Sequence, residues 1–136
     1  MAYIDILNQF SSGQTLTATG NSTDYIDFGS DRDVGPGDPL WIVLAVSACD
    51  GASGDETYSF AVETDDNTSF SSAATIGTIT VTRGVAPTQY VLGFPYANER
   101  YVRLRATLGG TTPSVTFTGY LTNQTPRSWA AYPDAI

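Results

Sequence analysis

A single-domain, all-β fold, an antiparallel β-sandwich of about eight strands with extended terminal arms, follows from three observations on the chain. Apolar and polar side chains alternate with a period of two in one segment after another. Gly, Asp, Ser and Pro gather between those segments, where tight turns need them. At 136 residues, with 41% hydrophobic and only 15% charged side chains, the chain is long enough for one self-standing core, and no window is rich in helix formers.

The strands are expected at about 15–19, 23–28, 40–47, 57–64, 74–82, 88–94, 101–108 and 113–122, with an N-terminal arm over 1–14 and a C-terminal arm over 123–136. In TDYIDF, Ile26 and Phe28 alternate with Tyr25 and Asp27; in TYSFAVET, Tyr58, Phe60 and Val62 alternate with Ser59, Ala61 and Glu63. In TQYVLGF the inward set is Tyr90, Leu92 and Phe94, and in PSVTFTGYLT it is Val115, Phe117, Gly119 and Leu121. Both are sandwich strands, one face dry and one wet. Between Ile76 and Ile79 the alternation slips by one residue at Gly77, as an inserted bulge residue would make it do.

The segment LWIVLAV differs because both faces are apolar, Leu40, Ile42, Leu44 and Val46 on one and Trp41, Val43 and Ala45 on the other. Such a strand is covered on both sides. A loop or terminal segment of the same chain, or another subunit, is the expected cover.

The formal charge of -8 disfavours nucleic acid and anionic membrane, since phosphate binding rests on a basic surface. The start MAYIDILNQF has no basic n-region and Asp5 interrupts its apolar residues, so we expect a chain made and used without export. Cys49 is the only cysteine, which rules out an intrachain disulfide and makes a small buried hydrophobe of it. The N-x-Ser/Thr triplets at Asn21, Asn67 and Asn123 are chance matches in a Thr-rich chain.

Histidine and lysine are both absent, so a Ser-His-Asp or Cys-His arrangement, a Schiff-base lysine and a His-containing zinc site cannot be built. Carboxylates are the reactive groups left in number. Glu63 and Asp65, two residues apart on one strand face and so roughly 7 Å apart, have a spacing that glycoside hydrolysis could use; a solvated strand end is the plainer reading. Asp31, Asp33 and Asp38 in one Gly-rich loop, and Asp65, Asp66 and Asn67 in another, offer oxygen ligands of the kind calcium takes, but neither has EF-hand spacing and turns demand the same residues. We therefore expect no metal and no cofactor.

The strand ERYVRLRATL places Val102, Leu104, Ala106 and Leu108 on one face and Tyr101, Arg103, Arg105 and Thr107 on the other. Two of six arginines thus stand side by side in an acidic protein. They could pair across strands, with Glu63 or nearby aspartates opposite. They could instead form a partner-binding face, for which guanidinium and tyrosine are favoured side chains. The arms carry further aromatics, Tyr3 and Phe10 before the first strand and Trp129 and Tyr132 after the last. Disordered tails are poor in such residues, so both arms should dock, on their own sandwich or on a partner's. Together with Trp41, these are the candidate partner-binding residues.

The order YIDILNQFS, STDYIDFGSDRDVGPGDPLWIVLAV, YSFAVETDDNTSFSSA and ERYVRLRATL resembles the small jellyroll capsid cement, or decoration, proteins of tailed bacteriophages, over about residues 1–122. The resemblance implies a jellyroll and a non-enzymatic role: binding the outside of an assembled head, tying neighbouring major capsid protein subunits together, and acting as a homodimer or other homo-oligomer. It places the protein on the outer capsid surface of the virion after synthesis in the host cytoplasm. The alternatives from other classes are a carbohydrate-binding β-sandwich module, which would present a flat aromatic platform, and a glycoside hydrolase with two convergent carboxylates.

Overall fold

The computed structural model describes residues 5–31, 33–34 and 39–123. A short 3₁₀ turn, Ile6–Asn8, opens on Asp5, whose side chain accepts a hydrogen bond from the Leu7 backbone N–H. Nine strands follow: β1 (Gln9–Leu16), β2 (Gly20–Asn21), β3 (Ile26–Asp27), β4 (Trp41–Cys49), β5 (Thr57–Asp65), β6 (Ala74–Val81), β7 (Thr88–Gly93), β8 (Tyr101–Gly109) and β9 (Val115–Thr122). They form two antiparallel sheets, one in the order β1-β9-β4-β7 and the other β2-β8-β5-β6, with β3 also paired to β8.

Taking β2 and β3 as two pieces of one strand along β8, the eight positions divide between the sheets as in a jellyroll, successive long connections crossing from one sheet to the other. The break accounts for nine strands where eight are expected. The Ser22 N–H still donates to the Leu104 carbonyl at 2.8 Å, but the Leu104 N–H is taken by the Ser22 hydroxyl, which itself donates to the Asp24 carbonyl, a local turn that ends the ladder there.

Two further expectations need correction. The first strand begins at Gln9, not near residue 15, because two register shifts, between Gln9 and Ser11 and between Ser11 and Gln14, hide its alternation. Phe10 is accordingly no arm contact: it lies in β1, is 0% exposed and packs in the core, so it has no surface to offer a partner. The bulge expected at Gly77 is present, with Val62 opposite Gly77 and Glu63 opposite Thr75, which leaves Ile76 as the extra residue.

The core is the layer between the sheets. Ile42, Leu44, Val46, Val115, Phe117 and Leu121 come from one, and Tyr58, Phe60, Val62, Val102, Leu104 and Ala106 from the other. Phe60 and Phe117 meet across it with ring centroids 4.8 Å apart at 70°, an edge-to-face geometry that aromatic pairs favour. Gly119 lets the layers close, since a Cβ there would lie 2.7 Å from Leu104 Cδ1. Gly119→Ala should therefore cost about 1 to 3 kcal/mol through overpacking, read as a lower urea midpoint at unchanged m-value.

Candidate functional site

The outward face of the five-stranded sheet carries the most concentrated chemistry. Strand β8 holds it in register: Arg103 stands opposite Glu63 of β5, Arg105 opposite Ala61 of β5 and Asn21 of β2, and Tyr101 opposite Asp65 of β5 and Asp27 of β3. Arg103 Nε donates to Glu63 Oε2 at 2.8 Å, and the side chains are only 15% and 12% exposed. Cross-strand pairing is thus what the fold makes of Arg103. Arg105 Nη1 donates to Asn21 Oδ1 at 2.9 Å.

Aromatic rings complete the surface. The Arg103 guanidinium lies 4.3 Å from the centroid of Phe70. Tyr25 meets Phe70 at 6.2 Å and Tyr101 at 5.3 Å, the latter nearly perpendicular at 89°. Arg100 lies 5.0 Å from the Tyr101 centroid and pairs with Asp27, Nε to Oδ1 at 2.7 Å and Nη2 to Oδ2 at 3.0 Å. A continuous platform results, with Arg103 and Phe70 as its covered floor and Tyr25, 44% exposed, as its rim. Asn21 to Tyr25, Thr68, Phe70 and Arg103 surround a cavity of about 130 Å³ beside it.

The loop after β5 positions Phe70. Asp65 is buried, and its carboxylate gathers the loop: Oδ1 accepts from the Asp66 N–H at 2.7 Å and the Asn67 N–H at 3.3 Å, and Oδ2 from the Ser72 N–H at 2.8 Å. Burial pushes the Asp65 carboxyl up, but these donors outweigh it and its pKa ends below the ordinary carboxylate range. Phe70 takes a left-handed backbone conformation, φ 51°, which costs a bulky residue about 1 to 3 kcal/mol. The Asp65 hydrogen bonds and the contact with Arg103 offset that cost.

The Glu63 and Asp65 pair therefore does different work from the acid pair its spacing allows: one carboxylate holds Arg103 and the other folds a loop. Among the described residues no group of three or more His, Cys, Asp or Glu is arranged to hold a metal; Asp38 lies outside them.

Two carboxylates here make opposite contributions to stability against pH. The Arg100 hydrogen bond, then the Gly29 N–H, hold Asp27 at a pKa of about 2, so its contribution is present at neutral pH and fades as pH falls below the ordinary carboxylate range. Glu99 is shifted the other way, by burial first and then by Asp65 and Asp66, and its Oε2 is buried without a hydrogen-bond partner. A carboxyl whose pKa is raised in the folded state costs stability as pH rises above the ordinary carboxylate range, and the cost is complete once pH passes the raised pKa. Glu99→Gln should accordingly raise the melting temperature by a few degrees at pH 7 and leave it unchanged near pH 4, whereas Asp27→Asn should lower it at pH 7 and flatten the acid limb.

Trp41, half-buried, is on the opposite side of the sandwich. It shares the outward face of the four-stranded sheet with Val43, which is 0% exposed, and with Tyr120, 6% exposed. The doubly apolar strand is buried on its inward face, but on its outward face only Val43 is, with Trp41 and Ala45 half-buried, and Trp41 is not brought to the arginines. Tyr3, Trp129 and Tyr132 lie outside the described residues. Tyr25, Phe70 and Arg100 complete the platform unforeseen. The signal available for Phe70 was a lone aromatic in the polar turn DDNTSFSSA, where a surface loop has little other use for one.

A jellyroll sandwich with one sheet face built into an arginine and aromatic platform defines a class: a β-sandwich fold compatible with a structural or adhesive role. The Bbp16 family profile matches residues 10–121, nearly the whole span from β1 through β9. The chain belongs to the Bbp16 family. No curated protein matches it.

Proposed function

We propose that the protein is a non-enzymatic cement of the bacteriophage head, binding the outer surface of the assembled shell and joining neighbouring major capsid protein subunits as a homodimer or other homo-oligomer. The observation that carries this reading is the platform, in which Tyr25, Tyr101 and Arg100 ride on an internally paired Arg103 and Glu63. Tyrosine and arginine are the side chains most enriched among energetic anchors at interfaces, and a rigid floor spares the entropy of ordering them on contact. The charge of -8 supports an outward position, away from packaged DNA. The family resemblance of the loop and strand sequences points the same way.

Cementing needs no chemistry. A particle that touches two capsomers makes its second contact intramolecularly, so modest interfaces become strong in combination. Whatever binds only the assembled, expanded lattice stabilises that lattice by mass action. A carbohydrate-binding module would call for coplanar exposed rings, whereas Tyr25 and Tyr101 stand at 89°.

Co-sedimentation with expanded, undecorated phage heads, against unexpanded shells and protein alone, tests the proposal. Saturable binding to expanded heads with a rise in their melting temperature is expected. Absence of binding at micromolar protein would overturn it and make a glycan array the next experiment.

A further inference from the structure

Among the described residues, two of the four sheet edges are left open to pairing, β6 and β7, and β6 is the longer. β1 is interrupted by two register shifts, and the edge made by β2 and β3 consists of two-residue fragments. Both are recognised ways of spoiling an edge for pairing with another chain. β6, by contrast, is eight residues long, closes the five-stranded sheet and, among the described residues, pairs with β5 alone. From Gly77 to Val81 it runs in regular register. Proline and charge are absent from it, and Ala74, Thr75, Thr78 and Thr80 are exposed. In this acidic chain, Arg83 is the only charged residue between Asn67 and Asn98, a span that includes both β6 and the neighbouring edge strand β7.

Its ends carry opposite charges. Beyond the C-terminal end of β6 stands Arg83, exposed and, among the described residues, in no ion pair. Beside the N-terminal end is the loop gathered by Asp65, with Asp66 exposed on it. We infer that β6 pairs antiparallel with β6 of a second copy, joining two five-stranded sheets into one and setting Arg83 of each copy beside the Asp66 loop of the other. In a register centred on Thr78, Arg83 faces Ala73 of the second copy, next to Ser72, whose N–H is held by Asp65. The two-fold arrangement makes this ion contact twice. A neutral strand is also where two copies of charge -8 can approach with least repulsion. The dimer deepens the cement reading by naming the surface that would make the particle bivalent, and it leaves each platform on its own sheet face.

Sedimentation velocity of the purified protein tests the inference apart from any capsid. The native chain should sediment as a dimer at micromolar concentration. Thr78→Lys with Thr80→Lys puts like charges across the two-fold and should give a monomer that keeps the native fold, read as an unchanged far-ultraviolet circular dichroism spectrum. Arg83→Asp should weaken the dimer roughly tenfold or more, and adding Asp66→Arg should restore it. A native monomer, or a dimer indifferent to the lysine pair and to Arg83→Asp, would overturn the inference. A native monomer whose head binding is lost with the lysine pair would overturn it in favour of a strand donated by a head subunit. A confirmed dimer that ignores heads would leave this inference standing while the cement reading fails.

Discussion

Phe117→Ala should destabilise the fold by about 3 to 5 kcal/mol, the cost of deleting a buried aromatic ring and leaving a cavity that the surroundings refill only in part. Phe117 is 1% exposed on β9, between β1 and β4 in the four-stranded sheet, and its ring meets Phe60 of β5 across the core. Removing it strips contacts from both layers at once, and β5 also carries Glu63 and Asp65. Chemical denaturation with calorimetry checks the value, and a drop of about 10 °C or more in melting temperature is expected for a domain of this size. A loss below about 1 kcal/mol would mean that the two sheets do not depend on this contact.

Arg103→Met comes next, with an expected loss of about 3 kcal/mol. The loss arises less from the missing attraction than from Glu63, 12% exposed, left without its partner charge. Phe70 would lose the guanidinium at 4.3 Å that covers its ring, and its left-handed backbone would lose part of its support. Pairing Arg103→Met with Glu63→Leu should recover most of the stability, since a well-packed apolar pair of similar size is nearly neutral in place of a buried ion pair. The double variant then separates structure from recognition. If it is stable yet binds heads at least tenfold more weakly than the native chain, the platform is a contact surface. Full head binding by the stable double variant would confine Arg103 to a structural role and move the contact to Tyr25, Tyr101 and Arg100.

Most of the strands were legible because a half-buried strand writes its burial into the chain with a period of two, as in Tyr58, Phe60 and Val62, all buried. The bulge beside Gly77 was legible for the same reason, as a break in that period. β1 was not, because QFSSGQTL shifts register twice and its Thr15 hydroxyl finds its partner far away in the sequence, at Thr116, 2.8 Å off. Phe10 was misplaced with it: an aromatic next to polar residues looks free until a strand 110 residues away, paired at Gln9 with Tyr120, closes over it.

The sequence by itself determined the sandwich, the shared face of Tyr101, Arg103 and Arg105, and the apolar character of both sides of β4, because these depend on alternation within one strand. Only the tertiary structure decided what the side chains of that face touch. Whether Arg103 is free or paired depends on the register of β8 against β5, and the joining of Tyr25, Phe70 and Arg100 to it depends on three loops that meet only once both sheets have formed. Register and loop closure are set by contacts distant in sequence, and such contacts leave no periodic trace in the chain.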